Sequence, residues 1–597
     1  MVSSISASRI RDKPWARAGA VTAVESMTTM RIRNKNLISG KYTFLKGIVE
    51  LSRRSVVRQI TVASCCVLFT ASCFGVSDED FTSRKGTIGY VAGALGVISV
   101  EEPQAALVAR AILSAGGNAA DAAVAIGLTL SVTMPSSASL AGGGVCIVRD
   151  AREEAPKVID FLPRAPRMSA SGTSRPNAVP ANPRGLFLLH SKYGELKWEL
   201  VVSPAENLAR FGHNVSRAFA TTLAPVSSAL IQDPVSARVF VRKDGGVISE
   251  GDLLKQQNLA ATLGRFRSKG VGDFYAGKDA HTFVEAVEAV GGSLTIEDMR
   301  NFRPVFRDTI SFPWERNTVW HFAGPPAAGG AVAAEMMSIL MDDELFEDAD
   351  PALREHLIAE AAKRAFATRM TSMQADGNYS TDPSAVLSKA AIERAIDSID
   401  DNQATPFRNL VSSPVDWPET PSAVGFSVMD AKGGAVACTL TMNNAFGTGR
   451  MAEGYGMILA AAPDQRGRTY TPLGPALLTS EFNNKAYMAA ASSGGVTAPT
   501  ALVNVIARAG AGPQDLRDAM RAPRTHYAGV PDKVFVEPDT PKDVIDELRK
   551  RGHDVVLTKS IGRVTAVYCP TGVPNKKNIS CLSASDPRGH GIALGGN

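Results

Sequence analysis

Residues 421–449 read PSAVGFSVMDAKGGAVACTLTMNNAFGTG, and the fold follows from how this stretch is parsed. Two short apolar runs are separated by Asp430, Lys432, Gly433 and Gly434. Apolar runs of that length around a turn-forming cluster predict a β-hairpin, because Asp and Gly supply the turn and the flanks supply two pairing strands.

Outward from the hairpin, the chain alternates tightly packed helices with glycine-rich turns. Pro103 stands at a helix start, Gly116 and Gly117 stop that helix, and a second, Ala-rich helix begins at about Asn118. Small residues on both let the two helices approach closely. Ala141-Gly-Gly-Gly144 enters a strand read as continuing to Val158-Ile-Asp-Phe161. Pro325-Pro-Ala-Ala-Gly-Gly330 precedes an apolar helix from Ala331 to Met341, and a further helix is expected from Thr540 to Gly552. Residues 374–383 and 404–420 are polar and turn-rich, and the second of these reads as a connector.

The chain has 597 residues, 45% hydrophobic and 21% charged, which is ordinary globular composition and too long for one small core. A net charge of +5 is small for this size, so nucleic acid is not an expected partner. Residues 1–52 are basic with little periodicity, and Met27 or Met30 is an equally good start. Arg53, Arg54 and Arg58 then precede an apolar run from Ile60 to Cys73, the pattern of a secretory signal over residues 53–73. A run of about 14 residues falls short of the roughly 20 that span a bilayer. Phe69-Thr-Ala-Ser-Cys73 resembles a lipoprotein cleavage box. Either Cys73 carries a lipid anchor to a membrane or the segment is an ordinary cleaved signal; both predict an exported protein, periplasmic or lipid-anchored to the outer membrane. Cys146, Cys438, Cys569 and Cys581 follow without CxxC spacing, so no metal or cofactor is expected. Cys569 and Cys581 either pair in an oxidising compartment or are two unpaired core thiols.

Phe426-Ser427, Thr441, Asn443 and Phe446-Gly447-Thr448-Gly449 resemble the start of the small subunit of the gamma-glutamyltransferase (glutathione hydrolase) family, and the order of motifs resembles that family from about residue 85 to 597. The resemblance implies an α/β (α+β) fold, a four-layer αββα sandwich of the N-terminal-nucleophile hydrolase type. After a linker at 74–84, residues 85–422 correspond to the large subunit and 423–597 to the small one. In that family the chain cuts itself before a Thr, whose hydroxyl then attacks a γ-glutamyl amide while its own α-amine takes the proton. An α-amine with a pKa of about 7.7–8.0 suits that task. Counted back without a gap from Phe426-Ser427, the Thr position is Ala423, which has no hydroxyl. Ser422, one residue earlier, is the substitute nucleophile that a one-residue bulge would present.

The same resemblance implies further changes at ligand positions. The Arg that grips the substrate carboxylate by a bidentate pair is Leu162, with Arg164 two residues later as either its replacement or a solvated surface residue. The Asp that pairs with the substrate ammonium is Gln465, which carries no charge. The two hydroxyl donors of a Pro-Leu-Ser-Ser turn are Gly474 and Pro475. Gly494 and Gly495 match the Gly-Gly whose N–H groups form an oxyanion hole, although any tight strand-to-helix turn uses such a pair. Thr441 and Asn443 serve either the site or the packing of the hairpin. Three readings follow: an exported, uncleaved family member with little or no activity; an amide hydrolase or acyltransferase using Ser422; and a periplasmic binding module that reuses the emptied cleft for a small γ-glutamyl or peptide-like ligand.

Overall fold

The computed structural model describes residues 96–595 except 168–175, 375, 415–421, 464–471, 511–513 and 576–580. The expected leader over 1–84, with Cys73, and Gln465 lie outside the described residues.

The expected hairpin forms from Ala423–Asp430 and Ala435–Thr441, with Ala423 opposite Thr441 and Met429 opposite Ala435. At its turn the Asp430 carboxylate accepts from the N–H groups of Lys432 and Gly434 at 2.8 and 2.9 Å, and Gly433 takes the left-handed conformation at φ 96°. The hairpin is the centre of a seven-stranded sheet whose order is Ile592–Leu594, Gly96–Val100, Ala423–Asp430, Ala435–Thr441, Gly143–Arg149, Lys157–Phe161 and Val305–Arg307. Every pairing in it is antiparallel, and the two hairpin strands, from after residue 422, lie between strands from before it. A second antiparallel sheet runs Leu582–Ser585, Arg563–Val573, Lys485–Ser493, Ala476–Ser480, Thr318–Ala323 and Thr309–Trp314.

Alternation along Ala423–Asp430 assigns its two faces. Val424, Phe426 and Val428 pack on an outer helical layer. Ala423 and Met429 face the layer between the sheets, where Ser427 Oγ also donates to Thr565 O at 3.1 Å. The outer layer includes helices Pro103–Ser114 and Ala119–Thr133. Glu102 caps the first by accepting from Ala105 N at 2.9 Å, and Asn118 and Asp121 form a reciprocal capping box on the second. Helices Ala328–Leu340, Pro351–Ser372 and Ala498–Gly510 cover the outer face of the second sheet. Helix, sheet, sheet and helix are the four layers that the motif order implies.

The strand expected to continue from Ala141 to Phe161 is two strands, Gly143–Arg149 and Lys157–Phe161. The break falls at Asp150, whose carboxylate accepts from Arg152 N at 2.8 Å and closes a turn. Cys569 and Cys581 are disulfide-bonded. So are Cys146 and Cys438, which sit opposite one another on neighbouring strands with Cα atoms 4.1 Å apart.

Candidate active site

Ala423 is the first residue of its strand and is 3% exposed. Its methyl group belongs to the apolar layer between the sheets, together with Leu162, Ala327, Leu473 and Ala491. The carbonyl before it, that of Ser422, accepts from Thr441 Oγ1 and from Met442 N, both at 3.5 Å. Thr441 Oγ1 in turn accepts from Asn443 N at 2.9 Å, while Asn443 Nδ2 donates to Ala461 O at 2.9 Å. Thr441 and Asn443 are thus brought to the Ser422–Ala423 peptide, one on its carbonyl and one holding the first in place. The Thr441 hydroxyl points its hydrogen at the carbonyl oxygen, which makes it a polarising donor to that peptide.

Ser422 is 5% exposed, and its Oγ has no hydrogen-bond partner among the described residues. The strand pairing from Ala423–Thr441 onward is unbroken, without a bulge.

Leu162 is 1% exposed, a buried alkyl chain in the apolar layer between the sheets. Arg164 does not share a strand face with it, because the strand ends at Phe161 and Pro163 follows. Its Nη2 instead donates to Asp160 Oδ2 at 3.0 Å, an oxygen that also accepts from Arg307 Nε at 2.9 Å. Asp160 Oδ1 accepts from Leu162 N at 3.1 Å, which ties the bend to the same carboxylate.

Gly474 is buried against the turn at 325–330, and the carbonyl of the buried Pro475 accepts from Ala323 N at 3.2 Å. A Cβ on Gly474 would lie 2.2 Å from Gly330 N, and one on Gly329 would lie 2.0 Å from Pro472 O, so backbone packs directly on backbone there. Gly494, at φ 138°, and Gly495, at φ 63°, make the turn from Lys485–Ser493 into the following helix. Thr497 Oγ1 donates to Gly494 O at 2.9 Å and fixes that turn.

Arg563 links these pieces and has no local signal in the sequence. Its Nη2 donates to Ala423 O at 3.5 Å, and its Nε donates to Glu101 Oε2 at 2.7 Å and to Ser493 Oγ at 3.3 Å. Glu101 Oε1 accepts from Gly425 N at 2.7 Å. Burial raises the Glu101 carboxyl above its ordinary range, and the Arg563 charge opposes that rise. The pair is separated by 462 residues in sequence, which is why only the structure finds it.

Among the described residues, one group lies within reach of a single cation: His356, Glu360 and His553. Its atoms are already engaged. His356 Nδ1 and His553 Nε2 share a 2.8 Å hydrogen bond, and Glu360 is ion-paired to both Lys363 and Arg364 at 2.8 Å. The two cations hold the Glu360 carboxyl down at about 2 against the effect of its burial.

Chemically, the assembly polarises the Ser422–Ala423 carbonyl but offers no hydroxyl or thiol from residue 423 to attack it. Leu162 and Gly474-Pro475 present apolar or backbone surface, without a charged or hydroxyl group of their own.

A family model described as Gamma-glutamyltranspeptidase matches residues 105–596. The chain is 27% identical over 583 residues to a glutathione hydrolase proenzyme of Escherichia coli (strain K12), covering 89% of this chain and 97% of that protein. It is 26% identical over 558 residues to a glutathione hydrolase proenzyme of Bacillus subtilis (strain 168), with 84% and 92% covered. In fold it is similar to a cephalosporin acylase from Bacillus halodurans, at a TM-score of 0.71 and 24% identity, covering 85% of this chain and 96% of that one.

Proposed function

We propose that this chain, which belongs to the gamma-glutamyltranspeptidase family, is an exported member that stays uncleaved and does not transfer γ-glutamyl groups. The observation that carries the reading is Ala423: a methyl group, 3% exposed, stands where the self-cleaving nucleophile would be. Self-cleavage needs a hydroxyl or thiol on that residue, and loss of the nucleophile in another hydrolase costs about 10⁶ in rate. Leu162 and the Gly474-Pro475 turn support the same conclusion from the ligand side, since neither offers charge or hydroxyl to a γ-glutamyl group.

Export is supported by the basic and apolar segment ending at Cys73 and by the two disulfides, a bond type that persists in oxidising compartments. No helix of the described residues is long and apolar enough to cross a membrane.

Hydrolysis of a γ-glutamyl anilide by the purified mature protein tests the reading, with no turnover above the uncatalysed rate as the expected result. A second reading, an amide hydrolase on Ser422, draws on the partnerless Ser422 Oγ. It requires attack on the carbonyl of Pro421, where the fixed φ of proline restricts the chain. Turnover abolished by Ser422→Ala would make that reading the better one.

A further inference from the structure

Immediately after the Gly494-Gly495 turn, Val496 and Thr497 line a cavity of about 260 Å³. Phe366, Met370, Phe535 and Ile561 form much of its apolar wall. Neither Ala423, Leu162 nor Gly474 lines it, so it is a different place from the family's nucleophile position. Its volume is ample for one substituted ring, since a benzene molecule occupies an engineered cavity of about 150 Å³.

One wall residue gives the cavity a defined polarity. His526 is 4% exposed, and its ring lies near Phe366 and Phe535, with centroids 6.3 and 6.1 Å away. His526 Nδ1 is 2.7 Å from Thr500 Oγ1. The Thr500 hydroxyl is in place to donate to Thr497 O at 3.0 Å, and with its hydrogen there the imidazole is assigned as the donor in that contact. Nδ1 therefore carries the proton and Nε2 carries a lone pair. Nε2 has no hydrogen-bond partner among the described residues. Burial pushes the His526 pKa down to about 3, which keeps the ring neutral and Nε2 an acceptor at ordinary pH. No carboxylate stands among the cavity's described lining residues, so a cationic occupant would lose its hydration there without an anionic partner.

We propose that this cavity is a ligand site for a small, flat, largely apolar molecule that carries one N–H or O–H donor and no positive charge. The donor meets His526 Nε2 while the ring packs against Phe366, Phe535, Met370 and Ile561. An acceptor in an apolar wall selects for such a donor, because a molecule of the same shape without one leaves the acceptor buried and unsatisfied.

Indole, 1-methylindole and tryptamine separate shape, donor and charge, and ligand-observed NMR titrations on the full mature chain read all three. Indole is expected to bind saturably in the millimolar range or below, 1-methylindole about tenfold more weakly or worse, and tryptamine without saturation. Thr558→Trp, at a half-buried wall position, is expected to fill the cavity and abolish indole binding. His526→Phe is expected to make indole and 1-methylindole equal. Should His526→Phe fail to fold, the indole and 1-methylindole comparison on the unaltered protein tests the acceptor by itself. The proposal is overturned if indole shows no saturable binding, if 1-methylindole or tryptamine binds as well as indole, or if Thr558→Trp leaves indole binding unchanged. None of these outcomes depends on whether the chain cleaves or turns over a γ-glutamyl compound.

Discussion

Ala423→Thr places a hydroxyl on the residue that follows the polarised Ser422 carbonyl, the position proposed for the nucleophile. The site is tight: Ala423 is 3% exposed and shares its layer with Leu162, Ala327, Leu473 and Ala491. Two added heavy atoms there overpack the layer, at a cost of about 1–3 kcal/mol, so a fall of a few degrees in the melting midpoint is expected. Thr441 Oγ1 and Met442 N already donate to the carbonyl that the new hydroxyl would attack, and slow self-cleavage between residues 422 and 423 is expected. Turnover is a separate matter. Hydrogen bonds to charged groups are worth about 1.5–3 kcal/mol each. On the proposed assignment of Leu162 and Gly474-Pro475 to the substrate-carboxylate positions, the transition state is left roughly 3–6 kcal/mol short, about 10²–10⁴-fold in rate. Intact-mass spectra over a time course read cleavage, and release of anilide from a γ-glutamyl anilide reads turnover. Two fragments with negligible turnover agree with the reasoning. Turnover of the size usual for the family from this one substitution would refute it, by showing that Leu162 and Gly474-Pro475 are not the substrate contacts.

Other consequences are equally direct. Burial pushes the Glu335 carboxyl up to about 7, with Thr368 Oγ1 donating to it at 2.9 Å. The raised folded pKa means that stability falls as pH rises from about 4.5 through 7, by about 3 kcal/mol at most. Glu335→Gln should accordingly raise the urea midpoint at pH 8 relative to the unaltered protein and change it little at pH 4.5; a difference independent of pH would contradict this. Cys438→Ser removes the bond to Cys146 at the centre of the first sheet, and a loss of about 2–5 kcal/mol is expected by chemical denaturation. Cell fractionation should find the protein in the periplasm or a membrane-anchored pool, with Cys73→Ala releasing it if the lipid reading holds; full-length chain recovered from the cytoplasm would end the export proposal.

The hairpin, the paired small-residue helices and the glycine turns were legible in the sequence because each rests on local chemistry: Asp430 and Gly433 at a turn, Asn118 and Asp121 at a cap, Gly329 and Gly330 where backbone meets backbone. What was not legible depends on residues far apart in sequence. The partner of Cys146 is 292 residues away and is set by strand register. Glu101 and Arg563 meet only once both sheets have formed. Arg164 shows a different limit. Face alternation placed it beside Leu162, but the strand stops at Phe161, and Asp160 captures the guanidinium through a turn of chain that no alternation rule describes. Ala423, Leu162 and Gly474 stand out in the sequence because each differs in residue type from the motif that its surroundings resemble, and their roles rest on that resemblance. The cavity at His526 had no such marker, since its walls come from the helix Pro351–Ser372, the turn after Gly495 and segments around residues 526–535 and 558–561.

The central claim is that residue 423 cannot cut the chain, and the intact mass of the natural mature protein after purification tests it most directly. A single polypeptide whose mass is unchanged by prolonged incubation is the expected result. Two fragments separating between residues 421 and 422, or between 422 and 423, would contradict it.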